Sequence, residues 1–252
     1  MSVLALRPVR QRMIASWIVA LALGGLAFQL ADVAYRTLPR PHPLAELSYY
    51  PSGRHLRPAT LGQAETAADL AWLRAVQYYG EHRTSDGHFL QMEHVFDIVT
   101  TLAPSFISAY VFGGFALAQE GQSFPAAERL MLKGIAANPR DGRLAFELGF
   151  LYYVRPGGRD LERAAEYFER AARLPNGPPV AGQFAAFARQ HAGDLAVAYA
   201  LWSRVLEQSQ NHYLREIAER EMAKIRVALQ SGRKELAVKR LPTPRVIVRP
   251  GS

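Results

Sequence analysis

Hydrophobic and polar positions alternate along this chain in three textures. Met13 to Ala31 (MIASWIVALALGGLAFQLA) carries no charge, and Ser16 and Gln29 are its notable polar groups. As a helix rising ~1.5 Å per residue it spans roughly 28 Å, close to a bilayer core of ~30 Å. Residues 36–60 follow, punctuated by Pro39, Pro41, Pro43, Pro51 and Pro58, a density that forbids one continuous helix and predicts a semi-extended linker. From Gly62 to Leu229, Ala, Leu and aromatic residues recur at spacings of three and four, with regular Gly/Pro breaks. That period is the signature of amphipathic helices.

Within the helical region the pattern repeats. Pro104, Pro139 and Pro175 close successive stretches at intervals of 35 and 36 residues. Before each proline runs the same order: a small residue, then an aromatic or large apolar one, then a second small residue. Ala164, Phe168, Ala171 and Pro175 show it in AAEYFERAARLP, and Ala127, Met131, Gly134 and Pro139 in AAERLMLKGIAANP. Leu148-Gly149 followed by Tyr152 reads L-G-x2-Y. With these residues the sequence resembles the tetratricopeptide-repeat (TPR) family, whose unit of about 34 residues carries W-x2-L-G-x2-Y, then A-x3-F, then P.

The resemblance divides residues 62–212 into four units at about 64–104, 107–141, 142–175 and 179–212. Trp72, Ala75 and Tyr79 fit the first helix of unit one, although GEHRTSDGHF lengthens its turn. Gly114 takes the glycine position of unit two. Unit three, with Gly149, Tyr152, Ala164, Phe168 and Ala171, is the strongest match, and unit four carries Ala198 and Trp202. Residues 213–230 read as a charged amphipathic helix capping the last unit, and 231–252 as a basic tail. The expected fold is therefore all-α: one transmembrane helix (13–31) after a basic flank (1–12), a linker (32–61), and a right-handed solenoid of helical hairpins.

Charge narrows the function. The net charge of +8 comes from the two ends: residues 1–60 sum to +5 and 231–252 to +5, whereas 61–230 sum to −2. A nucleic-acid-binding domain concentrates positive charge on its folded body, so the basic excess reads instead as membrane proximity and a solvated tail. Arg7, Arg10 and Arg12 precede the apolar segment, while Arg36 and Arg40 follow it. The positive-inside rule then favours the N-terminus in the cytoplasm and the repeats outside. Gly25-Leu26-Ala27 offers a small-x-small cleavage site, so a cleaved signal peptide, leaving a periplasmic or secreted protein, is the competing expectation.

Enzymatic chemistry finds little support. The chain contains no cysteine, which excludes disulfides, thiolate metal sites and a cysteine nucleophile. It lacks G-x-S-x-G, G-x-x-x-x-G-K-[ST] and H-E-x-x-H. His82, His88 and His94, with Glu81, Asp86, Glu93 and Asp97, form one polar cluster, but steps of six residues place histidines on different helix faces, and a polar loop explains them better. No cofactor, metal, nucleic acid or small-molecule substrate is expected.

What the TPR resemblance implies is a concave face lined by the first helix of each unit. Carried onto this sequence, it places there Leu73, Arg74 and Gln77; Val111, Phe112, Phe115 and Gln119; Phe146, Glu147, Phe150 and Tyr153; and Gln183, Phe184, Phe187, Gln190 and His191. Six phenylalanines would form an aromatic stripe suited to an apolar protein partner, with only Arg74 and Arg143 near a carboxylate-clamping role. The alternative is that the rings pack on one another as core. The expected function is a membrane-anchored scaffold or adaptor for a membrane or envelope complex, the runner-up being a regulatory module of an envelope enzyme or transporter with cytoplasmic repeats.

Overall fold

The computed structural model describes residues 7–37, 51–155 and 157–232. Those described residues form eleven α-helices and no strand. The chain divides into two units, residues 1–50 and 51–252. Residues 38–50 of the expected linker, with Pro39, Pro41 and Pro43, and residues 233–252 of the expected tail lie outside the described residues.

The first unit holds α1, Arg7–Thr37. Its window Ser16–Val33 has a mean hydropathy of 1.6 and buries none of its residues. Such length and composition fit a membrane span, and equally a signal sequence. The helix runs past Ala31 because Asp32 and Arg36 pair at 3.0 Å one turn apart, which supports a helix end that the apolar run alone does not reach.

The second unit begins with α2 (Gly53–Ala59), inside the stretch whose prolines predict a linker. Pro51 lies before the helix, and Pro58 sits in its last turn, where it withholds one intrahelical donor from a seven-residue helix. What holds α2 is tertiary contact. A Cβ on Gly53 would lie 2.7 Å from Thr101 Cβ and 3.0 Å from the Ile98 carbonyl oxygen, so only glycine lets α2 reach α4.

Helices α3 (Ala64–Thr84), α4 (Met92–Leu102), α5 (Ile107–Gln119), α6 (Phe124–Ala137), α7 (Gly142–Val154), α8 (Leu161–Arg173), α9 (Ala181–Ala192), α10 (Leu195–Gln208) and α11 (His212–Gln230) follow. Each packs on the next in sequence, and α4 also meets α6, as α5 meets α7. Their starts are written locally. Asp141 accepts from Arg143 N–H at 2.9 Å, Asp160 from Arg163 N–H at 3.1 Å, and Asn211 from Tyr213 N–H at 3.0 Å, satisfying donors that a helix N-terminus leaves open. Gly193 ends α9 with φ +93°, a left-handed turn that a side chain would strain.

Packing follows the small–large–small order seen in the sequence. Ala127, Ala164, Phe168, Ala171, Ala198 and Trp202 are fully buried, and Tyr152 nearly so. Gly114 faces Met131, whose sulfur would stand 2.8 Å from an added Cβ, and Gly149 faces Phe168 at 2.9 Å. Helices α5 and α6, and α7 and α8, thus touch where no side chain intervenes. Trp72 and Tyr79 are only partly buried; Trp72 instead sits amid Phe96, Phe106 and Phe112, with centroids 6.2, 5.2 and 5.5 Å away.

Polar bonds tie helices at similar distances along the chain. Lys133 Nζ on α6 donates to Asp97 Oδ1, Thr101 Oγ1 and Thr100 Oγ1 at 2.6, 2.6 and 2.9 Å. Arg129 pairs with Glu93 at 2.8 Å, and Arg163 with Glu128 at 3.2 Å. Glu128 also accepts from the Tyr152 hydroxyl, and burial first, then that carboxylate, pushes the Tyr152 phenol up to about 12. At the far end, Trp202 Nε1–H donates to Gln190 Oε1 and Gln190 Nε2–H to Glu221 Oε2, both at 3.0 Å. Burial opposes ionisation of Glu221, yet hydrogen bonds from Gln190 and Lys224 hold its carboxyl below the usual range.

Candidate interaction face

The first-helix positions of units two to four fall on α5, α7 and α9. On α7, an advance of 100° per residue sets Phe146, Glu147, Phe150 and Tyr153 on one side. All four are partly buried, whereas Leu144, Ala145, Leu148, Gly149, Leu151 and Tyr152 are buried. The same division holds on α5, where Val111, Phe112 and Phe115 are partly buried and Gln119 is exposed. On α9, Gln183, Phe184, Phe187 and His191 are partly buried. Gln190 departs from this set: it is buried and spent on Trp202 and Glu221.

The rings meet across helices. Phe115 on α5 lies 6.1 Å from Phe150 on α7, and Phe150 lies 6.2 Å from Phe184 on α9. Phe146 stands edge-on to Phe184 at 5.4 Å, and Tyr153 reaches Phe184 at 6.3 Å. The Tyr153 hydroxyl lies 3.2 Å from His191 Nδ1, and Phe187 packs against Trp202 at 4.7 Å. These are the edge-on and tilted arrangements aromatic pairs prefer. Phe115, Phe150, Phe184, Phe146 and Tyr153 are thus in ring contact, whereas Phe187 reaches them only through His191, 6.1 Å from Phe187 and 6.3 Å from Tyr153. Phe112 turns instead toward Tyr79 (5.1 Å) and Phe96 (5.8 Å). Positions 112 and 115 lie only about 60° apart around the helix, so the split comes from the neighbours: Trp72, Tyr79 and Phe96 surround Phe112.

Electrostatics on this face are set by burial. Burial pushes the Glu147 carboxyl and the Tyr153 phenol up, and it lowers His191, helped by the nearby charge of Arg159. Arg159 lies over the Tyr153 ring at 5.4 Å, a cation–π contact. Of the two arginines with a clamping geometry in view, Arg143 is held by Asp141 (Nη2 to Oδ2 2.5 Å, Nε to Oδ1 3.1 Å). Arg74 donates to Gln77 at 3.4 Å on its own helix.

Of the histidine cluster, His82 and His88 both approach Asp86, His88 Nδ1 at 3.9 Å from Oδ2. His82 is buried, its Nδ1 lies 2.5 Å from Asp86 Oδ1, and its Nε2 is buried with no hydrogen-bond partner. Among the described residues, no three His, Asp or Glu side chains are gathered closely enough to hold a metal. An open indentation of about 520 Å³ beside Gly87, His88, Phe89 and Glu120, and one of about 620 Å³ beside Arg155, Arg159 and Asp160, lie at inter-helix loops and not along the ring face. The Gln190–Trp202–Glu221 network and the isolation of Glu147 had no sequence signal, since both depend on which helices become neighbours. Comparison with protein-family models, with curated proteins and with solved structures gives no match.

Proposed function

We propose that this protein is a membrane-anchored adaptor whose TPR-like helical hairpins present an aromatic face to a protein partner in a membrane or envelope complex. One observation carries the reading: Phe115, Phe146, Phe150, Tyr153 and Phe184 come from three helices, touch in series, and remain partly open to solvent, with Phe187 joined to them through His191. An apolar surface assembled from several elements and left uncovered is a place where association gains free energy. The close approaches at Gly114 and Gly149 and the buried Ala164 and Ala171 support TPR-like stacking. The uncharged, exposed window of α1 supports the anchor, and the arginines before it support an N-terminus inside with the hairpins outside.

The test compares Phe150→Ala with Phe168→Ala in the full chain. Phe150 is partly exposed and Phe168 fully buried. The Phe168 variant loses about 3–5 kcal/mol of folding stability. Phe150→Ala costs clearly less stability than that, because part of its ring is already accessible to solvent, yet weakens partner capture from membranes by about 2 kcal/mol or more. A Phe150 variant as unstable as the Phe168 variant makes the stripe ordinary core and sinks the reading, as does a stable one that captures every partner unchanged.

A further inference from the structure

The aromatic face carries one group that does not belong in an apolar surface. Glu147 follows Phe146 directly and lies one turn before Phe150, on the open side of α7. Its carboxylate is partly buried, and among the described residues it makes no hydrogen bond and no ion pair. Arg143 stands four residues earlier, at the spacing for an intrahelical ion pair, but Asp141 takes its guanidinium through both carboxylate oxygens. The adjoining face of α5 offers Val111, Phe112, Phe115 and Gln119, and that of α9 offers Gln183, Phe184 and Phe187, none of them charged. Burial alone raises the Glu147 carboxyl, with no neighbouring charge to offset it. A partly buried carboxylate without a counter-charge is held less favourably than one in water, so it gains from a cation brought to it.

Resting on the adaptor reading above, we propose that the Glu147 carboxylate, set among Phe146, Phe150 and Phe184, is the binding site for an arginine side chain of the partner protein, carried in an otherwise apolar segment. Arginine fits better than lysine. Its planar guanidinium pairs with a carboxylate through two parallel N–H donors and lays its face on aromatic rings, whereas an ammonium does neither as well. The ring face already accepts this group, since the Arg159 guanidinium lies over Tyr153. The apolar flanks of the segment would meet Phe115 and Phe187, so the charge fixes register while the rings supply most of the contact.

A random peptide library, panned on the full chain in phosphatidylcholine nanodiscs and counter-selected on empty nanodiscs, tests this with an uncharged lipid background. Wild type should enrich peptides with one arginine among Leu, Phe or Ile. Glu147→Gln, which keeps the side-chain shape, should enrich apolar peptides without that arginine. Titrating the best wild-type peptide against both proteins should show about a tenfold or greater loss with Glu147→Gln. Enrichment of apolar peptides with no basic preference, or one that survives Glu147→Gln, overturns the arginine site and leaves the adaptor reading standing. No enrichment over empty nanodiscs overturns both. Panning a chain ending at Gly232 addresses the basic tail as a competing occupant: unchanged selection keeps the site for an external partner, while arginine peptides appearing only after truncation overturn that assignment.

Discussion

Glycine-to-alanine changes in helices usually stabilise, by about 1 kcal/mol, because alanine loses less backbone entropy on folding. Gly149 should do the opposite. A Cβ there would lie 2.9 Å from Phe168 Cδ1 and 3.1 Å from the Ala164 carbonyl oxygen. The first distance is below any normal carbon contact, so something must move. Phe168 cannot easily yield, being fully buried with Phe146 and Phe184 both 5.3 Å from its centroid. Overpacking of this kind costs about 1–3 kcal/mol. Gly80, inside α3, supplies the reference, because a Cβ there meets nothing within 4 Å. Both variants share the propensity gain, so the difference between them isolates the overpacking, about 1–3 kcal/mol in favour of Gly80→Ala. Thermal unfolding followed by far-ultraviolet circular dichroism should separate the two midpoints by roughly 2–12 °C, at about 2–4 °C per kcal/mol for a domain of this size. Equal shifts, or a higher midpoint for Gly149→Ala, would show that α7 and α8 do not meet at Gly149.

Gln190→Leu should cost about 2–3 kcal/mol in urea unfolding, since it strands the Trp202 indole N–H and removes the donor to Glu221 Oε2 in a buried site, leaving Glu221 its Lys224 bond; a loss below about 0.5 kcal/mol would deny the network its structural role. Glu147, whose carboxyl is raised by burial, contributes stability that is fully present below its unfolded-state pKa and lost as pH rises through the folded one. Glu147→Gln should therefore be at least as stable as wild type at neutral pH, with the gap closing toward acid, and a variant less stable at neutral pH would contradict this. For topology, a reporter active only outside the cytoplasm, fused after Ser252, should be active; activity of a cytoplasm-only reporter instead would reverse the orientation.

Helices α3 to α11 were legible because their cause is local. Small residues at 164 and 171 flanking Phe168 specify a contact face wherever the neighbouring helix comes from, and all three are fully buried. The apolar run that becomes α1 was equally plain, though its extension to Thr37 depends on the Asp32–Arg36 pair. Helix α2 was hidden because its stability resides in Gly53 lying against Ile98 and Thr101, a tertiary contact that proline counting does not see. The interaction face was half legible. The positions implied by the TPR resemblance included Phe115, Phe146, Phe150, Phe184 and Phe187, all partly open to solvent, but the resemblance treated Phe112 as their equal. The split comes from Trp72, Tyr79 and Phe96 offering Phe112 a different set of rings. The same limit applies to Glu147, whose lack of a counter-ion arises from Asp141 capturing Arg143.

The pairing of each helix with its neighbour in sequence has a kinetic consequence. Helices α3 to α11 meet partners one or two elements away, so the chain's contact order is low and little loop-closure entropy stands between the unfolded and folded states. Each pair can form once its second helix has been synthesised, without waiting for a distant strand or terminus. Assembly can then proceed in the order of synthesis, with Tyr110, Tyr152 and Trp202 buried in turn. The Gln190–Trp202–Glu221 bonds close last, because they need α11. A ribosome-stalling series ending after successive helices would register this as protease resistance gained in steps.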